Sequence, residues 1–444
     1  MSGNLNSWPE RRSLRGRSSV LAFLCSCALL SSLTLAGEPT PYGEYFVRLG
    51  GSSPDARAIP DAMAGPAPSA VQDSESYQRQ LSLLEGQGGP YADSLAEPLT
   101  DLARLHRQGG DVKQAQQAYQ RALHVVRINE GLYSEQQVPI LKELFELYRL
   151  TGDMATLDAR YDYYFRLYGS GQPPYTPVRL GAALEYLRWQ REALRLKLDE
   201  NETRRLLALY QLNEEILQGV QADPGADPGS YRKLVLSQLR NLYLLENLYQ
   251  PRDDIKGVSP GSRLAVAAWG EEQDTNQYRL EVFQRKALAN GRQLLEDLIA
   301  RTPTDEPEVL AASYLELADW NQWNDRRTEA LAAYGQVEKV LQDAGRTDLL
   351  QQWLGQPVEL PANGAFWQPR QLTPGSAPVV VQARYDVTAT GRADNIEATA
   401  MSSENEGKAR RVRRNLDQTR FRPRIVNGEP EAELQILRDY EVLN

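Results

Sequence analysis

From about Glu75 to Trp353 apolar residues recur at three- and four-residue steps, and this periodicity constrains the fold more than any other feature. Runs such as VPILKELFELYRL and LEYLRWQREALRLKL put apolar side chains on one face of a helix and charges on the other. Breaks containing Gly, Pro and Asp, at GSGQPP, DPGADPGS and TPTDEP, separate the runs. The helical stretch is also self-similar. Gly110-Asp111 and Gly152-Asp153 lie 42 residues apart, and the same offset superimposes Leu99 on Leu141, Leu102 on Leu144 and His106 on Tyr148. Each unit reads as a helix, a Gly-Asp turn and a second helix, a unit that hides its apolar face by stacking on its neighbours.

In the first unit Leu99, Leu102, Ala103 and His106 fall on the first helix, and Ala115, Tyr119 and Ala122 form a small–aromatic–small pattern on the second. Tyr314, Leu317, Ala318 and Asn321, followed by Ala330, Tyr334 and Val337, repeat the arrangement near the end of the stretch. These positions resemble the tetratricopeptide repeat (TPR). Small residues let paired helices approach, and the aromatic fills the hole between successive hairpins. The resemblance implies a mainly α fold, a TPR-like antiparallel helix-hairpin solenoid over 75–353, with a concave surface for peptides or partner proteins. Between the two copies, Phe145, Leu157, Tyr161 and Tyr164 replace small residues in a degenerate unit. Most of Tyr161, Tyr163, Tyr164 and Tyr168 are expected to be packing aromatics, with exposed contacts as the alternative for some.

Residues 1–36 read as an export signal. Arg11, Arg12, Arg15 and Arg17 precede an uncharged segment from Val20 to Ala36, and Thr34-Leu35-Ala36 sets small residues before a cleavage point at Gly37. The alternatives are an uncleaved anchor helix and a lipoprotein acylated at Cys27, since Leu24-Cys25-Ser26-Cys27 loosely resembles a lipobox. Both cysteines lie in this segment, so a cleaved chain has no disulfide, thiol or cysteine metal chemistry. The use of 42 Arg against 8 Lys, with the signal, favours a bacterial envelope protein. Periplasmic localisation is expected, with membrane contact only where the segment is retained. Residues 37–74, rich in Gly, Pro, Ala, Ser and Asp, read as a flexible linker, and 354–376 as a second one.

Residues 377–444 change to alternation and read as a separate α+β domain. Val379, Val381, Ala383, Tyr385 and Val387 share one face of a strand, and Gly391 supplies the positive φ of the following turn. A helix from Lys408 to Gln418 carries the stripe Ala409, Val412 and Leu416. Phe421-Arg422-Pro423, the Asn427-Gly428 turn and a last strand with Leu434, Ile436 and Val442 complete a β-β-α-β order. With Asp386 and Gly391, Phe421 and Pro423, and Gly428 and Pro430 at their spacings, the domain resembles the TonB C-terminal domain family. That resemblance implies a partner segment pairing with a sheet edge, for which Leu434, Ile436, Arg438, Tyr440 and Val442 are the candidate residues. It also implies, as the alternative reading, a membrane-anchored energy transducer of outer-membrane transport.

Little else carries chemistry. The net charge of −9 argues against nucleic acid as the main partner. Eight cations between Lys408 and Arg424 are balanced by acids elsewhere in residues 374–444, so a solvated helix face is expected there. His106 and His124 lack metal-site spacing, and there is no phosphate loop or nucleophile elbow. The expectation is a non-enzyme without metal or cofactor and with no small-molecule substrate, whose partners are other envelope proteins.

Overall fold

The computed structural model describes residues 41–42, 46–49, 68–199, 202–248, 271–366, 379–400 and 403–442. The export signal read from residues 1–36 lies outside them. Pro39–Asn444 forms one compact unit, mainly helical with a small C-terminal sheet region. Its helices are α1 (Pro68–Gly88), α2 (Ala96–Gln108), α3 (Val112–Glu130), α4 (Val138–Thr151), α5 (Met154–Leu167), α6 (Pro177–Arg195), α7 (Glu202–Ala222), α8 (Pro228–Leu248), α9 (Glu271–Arg301), α10 (Pro307–Trp323), α11 (Arg327–Asp343), α12 (Thr347–Leu354) and α13 (Glu406–Gln418). The strands are β1 (Pro41–Tyr42), β2 (Phe46–Leu49), β3 (Val358–Leu360), β4 (Val379–Val387), β5 (Ala393–Ala400), β6 (Arg420–Arg422), β7 (Arg424–Val426), β8 (Glu429–Glu431) and β9 (Glu433–Val442).

From α1 to α12 each helix packs on the next in chain order. The two Gly-Asp turns have the same construction. Gly110 and Gly152 take φ of 78° and 73°, a conformation that only glycine enters without a Cβ penalty. Asp111 and Asp153 then cap the second helix of each pair, accepting from the backbone N–H of Gln114 and Thr156 at 3.1 Å. The turn between α10 and α11 differs. Asp325 holds the left-handed position (φ 57°), and its carboxylate meets Arg392 and Arg420 of the C-terminal region instead of capping α11.

Ala115, Tyr119 and Ala122 are fully buried, as are Ala330 and Tyr334. Phe145, Tyr161 and Trp189 form a continuous stack with centroid separations of 4.2 and 4.7 Å, so the bulky residues of the degenerate unit fill one core with α6. Tyr164 and Tyr168 are buried too.

The main sheet is antiparallel with order β1-β2-β9-β4-β5. Val381, Ala383, Tyr385 and Val387 of β4 are fully buried against Ala409, Val412 and Leu416 of α13, with Phe421 in the same core. Gly391 takes φ 74°, and a Cβ there would lie 2.1 Å from the Phe421 carbonyl oxygen. Asn427 and Gly428, with φ of 51° and 81°, join β7 to β8 in a two-residue hairpin turn.

Both stretches read as linkers contain regular structure. Within 37–74, β1 and β2 join the main sheet and α1 begins at Pro68. Within 354–376, β3 pairs with β6, and Ala365 and Phe366 enter the core shared by α6 to α10. Val358, Leu360 and Phe366 supply apolar anchors too short and scattered to show against a Gly/Pro-rich background.

Candidate functional site

Strand β9 changes character along its length. On one side β4 pairs with it from Val442 to Glu433. On the other, β2 covers its last four residues, with Phe46 opposite Val442 and Leu49 opposite Asp439. Among the described residues no strand covers that second side from Glu433 to Arg438. Of the candidate docking residues, the structure places Leu434 at the surface (69% exposed) and Ile436 half-buried. Tyr440 and Val442 are buried in the domain core and are unavailable as contact side chains. Their burial has a physical cause: β9 is an inner strand at its C-terminal end and an edge strand only at its start. Leu437, 55% exposed, is the apolar residue that strict alternation misses.

The alternation fails at Gln435, whose φ of 56° marks an irregularity in the pairing with β4. Asp386 fixes it. Its carboxylate accepts from the Gln435 backbone N–H and from Asn395 Nδ2, both at 2.7 Å. The Asn395 and Gln435 bonds hold the Asp386 carboxyl below the usual carboxylate range. The Asp386 and Gly391 pair therefore has two jobs, setting the open end of β9 and closing the β4–β5 turn.

Arg438 turns away from the edge. Its Nη1 lies 2.7 Å from Glu359 Oε1 on β3, and its Nη2 donates to the Pro357 carbonyl at 2.7 Å. The same Glu359 oxygen accepts from Tyr440 at 2.9 Å, and the Tyr385 and Tyr440 hydroxyls are 2.9 Å apart. Burial, reinforced by the Glu359 charge, pushes the Tyr440 phenol well above its usual range. These residues secure the sheet to the segment leaving α12.

A second clamp lies on the helices. Arg422 of β6 donates to Asp319 of α10 at 2.8 and 2.5 Å, and to the Trp353 carbonyl at 2.6 Å. Gln322 of α10 donates to the carbonyls of Thr390 and Phe421, each at 3.0 Å. Arg420 and Arg392 converge on Asp325. The small domain is thus held on α10 by one buried charge pair, the Gln322 hydrogen bonds and the more exposed pairs at Asp325, and the β9 edge has a fixed position relative to α10.

The basic helix α13 borders an open groove of about 960 Å³ against β5, where Arg410, Arg413 and Arg414 face Asp394, Glu397 and Asp417. The mixture leaves no dominant sign. Among the described residues no cluster of His, Asp and Glu has the makings of a metal site, and no helix is long and apolar enough to cross a membrane. No known family model matches the chain, and no curated protein matches it.

Proposed function

We propose that the chain is a periplasmic interaction or scaffold protein of the bacterial cell envelope. It binds partners through a TPR-like helical surface and through the strand edge of a TonB-C-terminal-like domain. The observation that supports this reading is the pairing of β2 with β9. An extended segment about 390 residues away in sequence adds to this edge through the backbone, the way peptide strands add to receptor sheets. The open stretch from Glu433 to Arg438 continues the same edge, with Leu434 and Leu437 exposed beside it. The residues after β2 are Gly-Gly-Ser-Ser-Pro, poor strand formers. A partner strand takes the open half, or displaces β2 and takes the whole edge.

Site-specific photo-crosslinking in intact cells tests the docking. A crosslinker at Leu437 is expected to yield a discrete adduct that strengthens when Val47→Pro weakens β2. A crosslinker at Glu397, on the far edge of the sheet, is the control. No adduct at position 437, or an equal one at position 397, removes the edge from the proposal. N-terminal sequencing tests the address: a mature protein beginning at Gly37 is expected, and an unprocessed chain in the cytosol defeats the envelope reading.

A further inference from the structure

Along α2, α4 and α6 a ladder of ion pairs joins alternate helices, each pair running from a cation on the earlier helix to an acid on the later one. Arg104 and Arg107 of α2 reach Glu143 of α4 at 3.2 and 2.7 Å. Lys142 and Arg149 of α4 reach Glu185 and Glu192 of α6. At the next step no acid takes this place among the described residues. Arg191 of α6 meets Ser237 and Asn241 of α8, its Nη1 lying 3.0 Å from Ser237 Oγ, 3.0 Å from Asn241 Oδ1 and 3.4 Å from the Ser237 carbonyl. All three acceptors are neutral.

Arg191 is 6% exposed, and Ser237 and Asn241 are fully buried. The charged groups whose fields reach it are Arg240 and Arg188, so burial first and two like charges second oppose its charge. A carboxyl or an amine would respond by changing protonation, but a guanidinium keeps its proton. The charge therefore stays in the interior, where an unpaired ion costs several kcal/mol. The nearest acid in its hydrogen-bond chain is two amides away: Asn241 donates to Gln238 at 2.9 Å, and Gln238 donates to Glu214 at 3.2 Å. The three contacts fall on Nη1, and among the described residues no acceptor meets the Nε–Nη2 edge. That edge is the fork that matches the two oxygens of an oxyanion.

We propose that Arg191 is the receptor for one oxyanion at the α6–α8 step, completing the ladder with an acid that the described residues do not supply. A planar carboxylate and a tetrahedral phosphate share the required chemistry, and the experiment separates them. The full chain is melted in sodium chloride at fixed ionic strength, with phosphate or acetate replacing chloride. One anion gives a saturable rise in Tm of about 2 °C or more once well above its dissociation constant. Either anion acting alone identifies the ligand class and supports the site. Arg191→Gln abolishes the rise, whereas non-specific salt effects on burial persist in it. In chloride alone Arg191→Gln is at least as stable as the parent, because it removes an uncompensated charge. Arg191→Lys keeps the charge without the fork and raises the half-saturating concentration about tenfold. The proposal is overturned when neither anion exceeds chloride, or when Arg191→Gln responds as the parent does.

Discussion

Removing the carboxylate of Asp319 tests how the sheet is held on the helices. Asp319 and Arg422 are each 4% exposed, and their double hydrogen bond joins α10 to β6 across 103 residues of sequence. Asp319 also accepts from the Tyr334 hydroxyl at 2.9 Å. Burial works against the Arg422 charge, but the adjacent Asp319 holds its pKa above the ordinary arginine value. Asp319→Ala leaves a buried guanidinium without its carboxylate partner, still donating to the Trp353 carbonyl, at a cost of about 3–5 kcal/mol. Arg422→Met strands the carboxylate on Tyr334, at a similar cost of about 3–5 kcal/mol. The double variant buries no lone charge, so it is expected to lose far less than the sum, leaving a coupling energy of about 2 kcal/mol or more. Urea unfolding followed by tryptophan fluorescence reads this directly, since Trp320 and Trp323 flank the pair on α10. Each single variant is also expected to separate the sheet from the helices and lower the apparent m-value. Simple additivity of the two single losses would refute the reasoning.

Three further outcomes follow from the geometry. Gly391→Ala imposes φ 74° on an L-residue and drives a Cβ into the Phe421 carbonyl and Gln322, so urea denaturation should show a loss of about 2–3 kcal/mol. Asp111→Ala and Asp153→Ala remove equivalent caps, and each should lower stability by about 1 kcal/mol. The third outcome concerns pH. Burial raises the Glu246 carboxyl to about 7, against the Trp323 hydrogen bond and Arg420. The folded state then holds a proton that the unfolded chain has shed between pH 4.5 and 7, so this group's contribution to stability falls as pH rises through that window. Glu246→Gln keeps an acceptor for the Trp323 N–H and should flatten the stability profile there, leaving the variant more stable than the parent at pH 8.

Local patterns carried most of the small domain and the individual helices. The β4 alternation, the α13 stripe, the Gly-Asp turns and Asn427-Gly428 each depend on residues within a few positions of one another, and each has the expected geometry. The candidate edge was legible only in part. Tyr440 and Val442 obey the period of a strand, but nothing near them announces that residues 46–49 pair alongside. Four strand residues in a Gly/Pro-rich stretch carry too little pattern to stand out, and the same holds for Val358–Leu360. Arg422 with Asp319 and Arg438 with Glu359 are 103 and 79 residues apart, a separation that no periodicity encodes.

The Phe421-Arg422 pair also bears on how the two proposed binding surfaces would cooperate. Successive residues of a strand point to opposite sides, and here Phe421 fills the core of the small domain while Arg422 reaches Asp319 on α10. One short strand, paired with β3 outside the main sheet, therefore fills the domain core and fixes the domain to the helices, and Gln322 adds to the clamp by binding the carbonyl of Phe421 itself. A partner strand lying along β9 would sit at a set distance from the helical surface, with no linker to average over. A ligand that engages both surfaces then gains a second contact at high effective concentration when its own spacing fits, and gains nothing when it does not. Loosening the clamp with Asp319→Ala should weaken such a ligand without touching either surface. A ligand held by the edge alone should keep its affinity, so the same variant that measures the clamp also counts the surfaces in use.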